Sequence, residues 1–237
     1  MDDALRARLR EAVGATGLSR DDVVMPSSVE QVVAVLRACA DASTRVTVTS
    51  GDAGTSTGRR AAARTAEARD SDRTRGAPSG ERILLSLNRL QRLNVEPQRL
   101  IAQAESGVSI ASLRAETAAV RLAVVGMPGS VRSEHIGSLI ARGEVSRRAL
   151  CGVEAVLTTG EMVSFGGGVL KDVVGFDIPT LLLGSMGRLA VVVAVTFRLE
   201  PEGAKTPVAT APGAQRDGAE PLFARAFDPQ GLLQPAQ

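Results

Sequence analysis

The chain has 237 residues, of which 44% are hydrophobic and 23% are charged, and its formal net charge at pH 7 is +2. Such a composition suits a globular protein of one domain. The small net charge gives no argument for nucleic acid or an anionic membrane as a partner. Aromatic residues make up 2%, all of them phenylalanine, so stacking platforms for single-stranded nucleic acid are missing. We therefore expect no nucleic-acid partner.

Membrane insertion and disulfide bonding are not expected either. The longest apolar stretch, residues 189–197, is about half the length that a membrane-spanning helix needs. The N-terminal segment, residues 1–23, is predicted to be a charged amphipathic helix without an apolar signal core. Cys39 and Cys151 are the only cysteines, and their spacing forms neither a metal site nor a disulfide framework. The sequence predicts no metal and a reducing, cytoplasmic location.

The first third of the chain predicts a helix followed by a strand. Ser27 and Glu30 have the spacing of a capping box, and apolar residues at helical spacing predict a helix over 28–41. Residues 45–49 alternate like a strand and run into the turn SGDAGTSTG at 50–58. Residues 59–82 mix both charge signs and have no periodic apolar face, so we interpret them as a solvated insertion.

The rest of the chain predicts strands mixed with short helices. Strands are predicted over 83–87, 100–104, 121–125 and 189–199, helices over 109–120 and near 178–183, and a β-hairpin over 152–165 with its turn at Thr159–Gly160. Residues 202–220 are rich in Pro, Gly and Ala and are predicted to be a linker. This order of elements favours an α+β fold over a doubly wound sheet.

Two glycine-containing turns are candidate ligand sites. In the 50–58 turn, backbone N–H groups could converge on an anion, although an ordinary loop is the alternative and the lysine of a nucleotide P-loop is lacking. Small residues in the 126–138 segment suit close approach of the backbone to a flat ligand, and a simple turning loop is again the alternative. His135 is the only histidine, and a lone histidine outside any metal-ligand or cysteine motif favours a structural role. No catalytic residue is assigned.

A third segment carries a family resemblance. Residues 166–201 read GGGVLKDVVGFDIPTLLLGSMGRLAVVVAVTFRLEP. They resemble the segment that closes the FAD-binding domain of D-lactate dehydrogenases and of the flavin subunits of bacterial glycolate oxidase. These proteins belong to the vanillyl-alcohol oxidase / p-cresol methylhydroxylase (PCMH) type. The matching residues are Lys171, Asp172, Val173, Gly175, Phe176, Asp177, Leu181, Gly184, Ser185, Gly187, Leu189, Val191, Val192, Thr196, Leu199 and Pro201.

Other segments follow in the order of that family. Residues 83–113 resemble its strand and helix start, and PGSVRSEHIGS at 128–138 resembles the segment that lies along the flavin. The final residues, LFARAFDPQGLLQPAQ, resemble the tail that follows a cap domain in full-length relatives. The resemblance implies a two-lobed α+β PCMH-type FAD-binding domain over 24–201, with the cap domain absent or vestigial and residues 221–237 as a remnant of the tail.

The resemblance also implies FAD as the cofactor and the residues that bind it. The pyrophosphate is expected at the backbone of the 50–58 loop and the flavin at the 128–138 segment. The adenosine is expected at the backbone of Val191 and Val192. The implied residues are Ser50, Gly51, Asp52, Ala53, Gly54, Thr55, Ser56, Gly58, Pro128, Gly129, Ser130, Ile136, Gly137, Ser138, Val191 and Val192.

The chain departs from the family pattern in four ways. Ser138 replaces a glycine, a glycine- and asparagine-rich stretch after it is missing, and Arg188 replaces a small hydroxyl residue. No histidine or cysteine stands at the positions used for covalent attachment, so FAD is expected to be non-covalent.

The resulting hypothesis is an FAD-binding oxidoreductase subunit similar to D-2-hydroxy-acid (D-lactate or glycolate) dehydrogenases. It would act on CH–OH donors but not alone, because relatives draw their substrate residues mainly from the cap. This leaves room for a partner subunit that supplies a substrate site or an electron acceptor. The alternative is a degenerate, non-catalytic relative that no longer binds FAD and serves as an interaction module or is a decaying fragment. The third hypothesis is an unrelated α+β domain without a cofactor.

Overall fold

The computed structural model describes residues 2–19, 22–50, 82–166, 177–204 and 227–234. The predicted 59–81 part of the insertion and the 167–176 part of the family segment lie outside this description. The helices are α1 (Asp3–Val13), α2 (Val29–Asp41), α3 (Ile110–Ala119), α4 (Ile136–Arg142) and α5 (Ile178–Leu182). The strands are β1 (Val23–Val24), β2 (Arg45–Thr49), β3 (Arg82–Ser86), β4 (Leu93–Glu96), β5 (Ile101–Glu105), β6 (Leu122–Val124), β7 (Leu150–Val156), β8 (Met162–Gly166), β9 (Val191–Pro201) and β10 (Leu233–Gln234).

The first lobe is a parallel sheet in the order β1-β3-β2-β10, covered by α1 and α2. Helix α2 buries one face because its apolar residues recur at helical spacing, and Val32, Leu36 and Cys39 are completely buried. Leu5, Leu9 and Val13 do the same along α1 and join the same core. The lobe is therefore a two-layer unit with both helices packed on one core.

The start of α2 corrects the predicted capping box. The N-cap is Ser28, one residue later than expected, and its hydroxyl accepts the backbone N–H of Gln31 at 3.4 Å. The Gln31 amide oxygen in turn accepts the backbone N–H of Ser27 at 2.7 Å. Gln31 thus plays the part predicted for Glu30, because the helix begins at Val29 and this places Gln31 at its third position.

The second lobe is an antiparallel sheet in the order β4-β5-β9-β7-β8, with β6 paired to the end of β9. Helices α3 and α4 cover one face of this sheet, around a core that includes Leu113, Ile140 and Phe197. The hairpin of β7 and β8 turns at Thr159–Gly160 as predicted, with Leu157 N–H bonded to the Glu161 carbonyl at 2.9 Å. Mixed helices and sheets in two lobes confirm the predicted α+β fold.

The two lobes share a core. Val156 at the end of β7 and Val191 and Val193 in β9 are buried in the same cluster as the helices of the first lobe. The ends of two second-lobe strands therefore reach into the first lobe, which fixes the relative position of the two sheets.

The C-terminal tail returns to the first lobe as the edge strand β10. Leu233 and Gln234 pair in parallel with Val46 and Thr47 of β2. The buried carboxylate of Asp228 accepts the backbone N–H groups of Leu232 and Leu233 at 2.9 and 2.8 Å. This cap satisfies amides that would otherwise be buried without partners, and it shapes the turn that leads into β10.

Candidate functional site

Three segments that are far apart in sequence meet between the two lobes. Ser50 follows the last residue of β2 and is 4% exposed. Its hydroxyl lies 2.7 Å from the hydroxyl of Ser138 in the first turn of α4, and the two form a hydrogen bond. We call Ser50, Ser106, Gly137 and Ser138 the serine junction. Two of the predicted segments, the start of the 50–58 turn and the end of the 128–138 segment, are thus in direct contact.

Gly137 allows this contact because it has no side chain. A Cβ added to it would lie 2.8 Å from the Cβ of Ser50 and 3.1 Å from that of Ser106. Real Cβ atoms do not approach so closely without displacing a neighbour. The Gly137 N–H donates to the Ser106 carbonyl at 2.9 Å, which holds the backbone of α4 at this distance. Glycine at this position is therefore required by packing.

Ser106 connects the junction to β9. Its backbone N–H donates to the carbonyl of Val193 at 2.9 Å, and its hydroxyl donates to the carbonyl of Val192 at 2.6 Å. It is completely buried. The sequence analysis missed Ser106, and its only local signal is its position between a predicted strand and the glycine that precedes α3.

Two polar side chains, Arg114 and Glu144, hold the loop before α4. The carbonyl of Pro128 accepts from the Arg114 guanidinium at 2.6 Å. The carboxylate of Glu144, just after α4, accepts the backbone N–H groups of Arg132 and Ser133 at 2.9 and 3.0 Å. Glu144 follows the point at which a longer stretch was expected from the resemblance. Its hydrogen bonds connect the residues that follow α4 to the loop that precedes α4.

Comparison with known proteins identifies the family. A model of the "FAD binding domain" family matches residues 21–166, well over half of the chain. The chain belongs to this family. The predicted PCMH type and FAD as its cofactor are confirmed by this match and by the relatives described next.

The D-lactate dehydrogenase of Archaeoglobus fulgidus is 29% identical, with 76% of this chain and 39% of the relative covered. An uncharacterized FAD-linked oxidoreductase of Mycobacterium tuberculosis is 32% identical, with 50% and 28% covered. The chain thus spans well under half the length of these curated relatives. Among solved structures, p-cresol methylhydroxylase with substrate bound superposes with a TM-score of 0.60 at 14% identity, over 84% of this chain and 43% of that one. That likeness shows the shared fold.

The described residues of the predicted set have the chemistry that an FAD pyrophosphate needs. None of them is acidic, and they offer serine hydroxyls together with glycine backbone. An added Cβ at Gly129 would meet nothing within 4 Å, so a ligand could approach the backbone there. Gly129 and Ser130 are also exposed. The residues present therefore fit this cofactor.

Of the remaining predicted residues, two have buried side chains and seven lie outside the described part of the chain. Ile136 and Val191 bury their side chains in the two cores, so only their backbone could face a ligand. The Ile136 N–H already donates to the Val108 carbonyl at 3.0 Å. Seven predicted residues lie outside the described part of the chain: Gly51, Asp52, Ala53, Gly54, Thr55, Ser56 and Gly58.

An ion pair positions the start of α5. Arg147 binds both oxygens of Asp177 with its Nε at 2.8 and 2.9 Å, and Asp177 also accepts from Thr180 as the N-cap of the helix. Burial raises the pKa of Asp177, but the hydrogen bonds from Arg147 and Thr180 and the positive charge of Arg147 outweigh it. The net pKa is lower than that of an ordinary aspartate.

No metal site or spanning helix is found in the described ranges. No group of three or more His, Cys, Asp or Glu side chains could hold a metal ion there. Every helix in those ranges is too short or too polar to cross a bilayer. Both cysteines are free, and burial raises the pKa of the Cys39 thiol to about 12, which makes it unreactive.

A groove of about 760 Å³ lies elsewhere on the surface, between α2 and the β7–β8 turn. Its lining contains none of the predicted cofactor residues. The lining residues are Val29, Glu30, Val33, Ala34, Arg37, Thr159, Gly160, Glu161 and Met162. The predicted residues Ser50, Gly137 and Ser138 lie at the serine junction instead.

Proposed function

We propose that this chain binds FAD non-covalently at the serine junction and is the FAD-binding unit of an oxidoreductase that acts on CH–OH donors. The observation that carries the proposal is the 2.7 Å hydrogen bond between Ser50 and Ser138. It joins two segments that family resemblance alone assigned to the pyrophosphate and the flavin, and Ser106 links them to Val192 of the third segment. When bound, FAD supplies the redox chemistry, while the protein supplies binding and orientation.

Each segment has a distinct part in this proposal. The pyrophosphate contacts predicted for residues 51–58 lie outside the described residues and begin directly after Ser50. The open backbone at Gly129 and the first turn of α4 lie along the flavin. The backbone near Val192 meets the adenosine. Buried hydroxyls such as that of Ser106 hold these segments in place.

A partner subunit is part of the proposal. The chain spans at most 39% of the length of the curated relatives quoted above, and their names include a D-lactate dehydrogenase. We propose that another subunit supplies a substrate site or an electron acceptor. We expect no oxidation of D-lactate or glycolate by the purified chain alone, and turnover only when a co-purifying subunit is present. The proposed location is the cytoplasm, supported by the two free cysteines.

The environment of Cys39 supports non-covalent attachment. Cys39 is completely buried in the first lobe, and its raised pKa leaves it without the thiolate that a covalent bond would need. We expect acid precipitation of the holoprotein to release all flavin into the supernatant. Flavin that stays in the precipitate would contradict non-covalent binding.

The test of FAD binding is the visible absorbance of the purified chain. We expect the band of oxidised flavin to co-elute with the protein in gel filtration, either directly or after incubation with FAD. FMN, which lacks the adenosine and the pyrophosphate, is the matched control ligand and should bind more weakly. A folded chain that stays colourless after incubation with FAD would reject the proposal in favour of the degenerate, non-catalytic alternative.

A further inference from the structure

The hydrogen bond between Ser50 and Ser138 is made by side chains, not by backbone. A glycine or an alanine at position 138 could not form it. Ser138 is partly buried and Ser50 is almost completely buried. Their 2.7 Å separation is typical of a well-formed bond between two hydroxyl groups.

The same residue, Ser50, is held from several directions. The backbone of Gly137 packs against its Cβ. The preceding residue, Thr49, accepts the backbone N–H of Leu87 through its carbonyl at 2.8 Å. The side-chain bond to Ser138 adds the contact that fixes the direction of the Ser50 hydroxyl. The point at which the chain leaves β2 is therefore fixed by β3 on one side and by α4 on the other.

We propose that Ser138 is a positioning residue, whose bond to Ser50 holds the end of β2 against α4 before FAD arrives. The inference rests on the proposed function and concerns how that function is achieved. Without the bond, the end of β2 samples other arrangements, and only a fraction of molecules is ready to bind. The apparent affinity is then the intrinsic affinity multiplied by that fraction.

The expected size follows from the strength of one such bond. A neutral hydrogen bond contributes a modest net free energy, which corresponds to about a two- to tenfold loss of FAD affinity in Ser138→Ala and in Ser50→Ala. Because both variants break the same bond, the double variant should bind FAD no more weakly than the weaker single variant. Association should become slower while dissociation stays unchanged, since the lost bond orders the free protein.

A matched control is available in the same chain. Ser109 and Ser112 form a second pair of hydroxyls 2.8 Å apart, on the exposed surface at the start of α3. Ser112→Ala removes a bond of the same type and should leave FAD affinity unchanged. Ser109 keeps its cap, because its hydroxyl still accepts the backbone N–H of residue 112 at 2.9 Å.

The experiment is a titration of the flavin-free full chain with FAD, followed by flavin fluorescence, with stopped-flow measurement of both rate constants. Hydrogen exchange of the amides of Val48, Thr49 and Leu139 in the flavin-free variants gives a readout that does not involve FAD, and it should quicken in Ser138→Ala. Slower association, unchanged dissociation and a non-additive double variant would support the inference. Unchanged affinity, additive losses or a change confined to dissociation would overturn it while leaving FAD binding intact. A wild-type chain that binds no FAD would instead refute the proposed function and this inference with it.

Discussion

At Gly137 the backbone of α4 touches the side chains of Ser50 and Ser106, and the absence of a Cβ is what permits it. We expect Gly137→Ala to reduce the free energy of unfolding by about 1–3 kcal/mol, because the new methyl group overpacks a buried contact. The same change should weaken FAD binding, since it pushes α4 away from the end of β2. Urea denaturation of the flavin-free chain and a titration with FAD measure the two effects.

Gly129→Ala is the control for stability. Its new Cβ meets nothing within 4 Å, so the unfolding free energy should stay within about 0.5 kcal/mol of the wild type. If Gly137→Ala were as stable as Gly129→Ala, the close approach at the junction would not exist in solution.

The four residues of the serine junction differ in how far the sequence could predict them. Ser50, Gly137 and Ser138 were assigned from the resemblance of their segments to a family pattern. Ser106 was not, because the resemblance of residues 83–113 to a strand and a helix start does not single out one serine within them. Its role depends on β9 coming within 2.6 Å of its hydroxyl, which is a product of tertiary packing.

Among the elements, α5 offers a test of electrostatics. Asp177 is its N-cap and pairs with Arg147, and the pKa of Asp177 lies below its usual value. A carboxylate with a lowered pKa in the folded state stabilises that state above its unfolded pKa. The stabilisation is lost as the pH falls from about 4 through the folded pKa.

We therefore expect Asp177→Asn to be less stable than the wild type at pH 7, and the difference to shrink below about pH 4. The asparagine keeps the ability to cap the helix, so the variant isolates the charge. The loss at pH 7 should be below about 1 kcal/mol because both side chains are 40–51% exposed and water screens the pair. Urea denaturation at several pH values measures it. A difference that is independent of pH would show that the ion pair contributes nothing.

The elements that the sequence predicted well are those with a clear period. The alternation in residues 45–49 and the helical spacing in α2 gave the right type of element at nearly the right bounds. Helix α4 was not predicted, because its seven residues include Gly137 and Ser138, which are poor helix formers. Strand β10 has two residues, and its existence depends on pairing with β2. No local pattern could have located it.

For the whole molecule, the fold class could be predicted from motifs, but the relation of the two lobes is visible only in the structure. Val156, Val191 and Val193 look like ordinary strand residues, yet they complete the core of the first lobe. This shared core means that the lobes are not independent units on either side of a ligand. A ligand at the junction contacts elements of both.

FAD binding should therefore stabilise both lobes together. A ligand at about one hundred times its dissociation constant adds about 2.7 kcal/mol to the free energy of global unfolding. We expect exchange of the slowest amides in β2, such as Val48, and in β9, such as Val195, to become slower by about a hundredfold, which corresponds to this free energy. Hydrogen exchange with and without FAD measures this, with Gly137→Ala at the same FAD concentration as a control that gains less. Protection gained by β9 alone would show that FAD contacts the second lobe only, and that the junction does not bind the cofactor between the lobes.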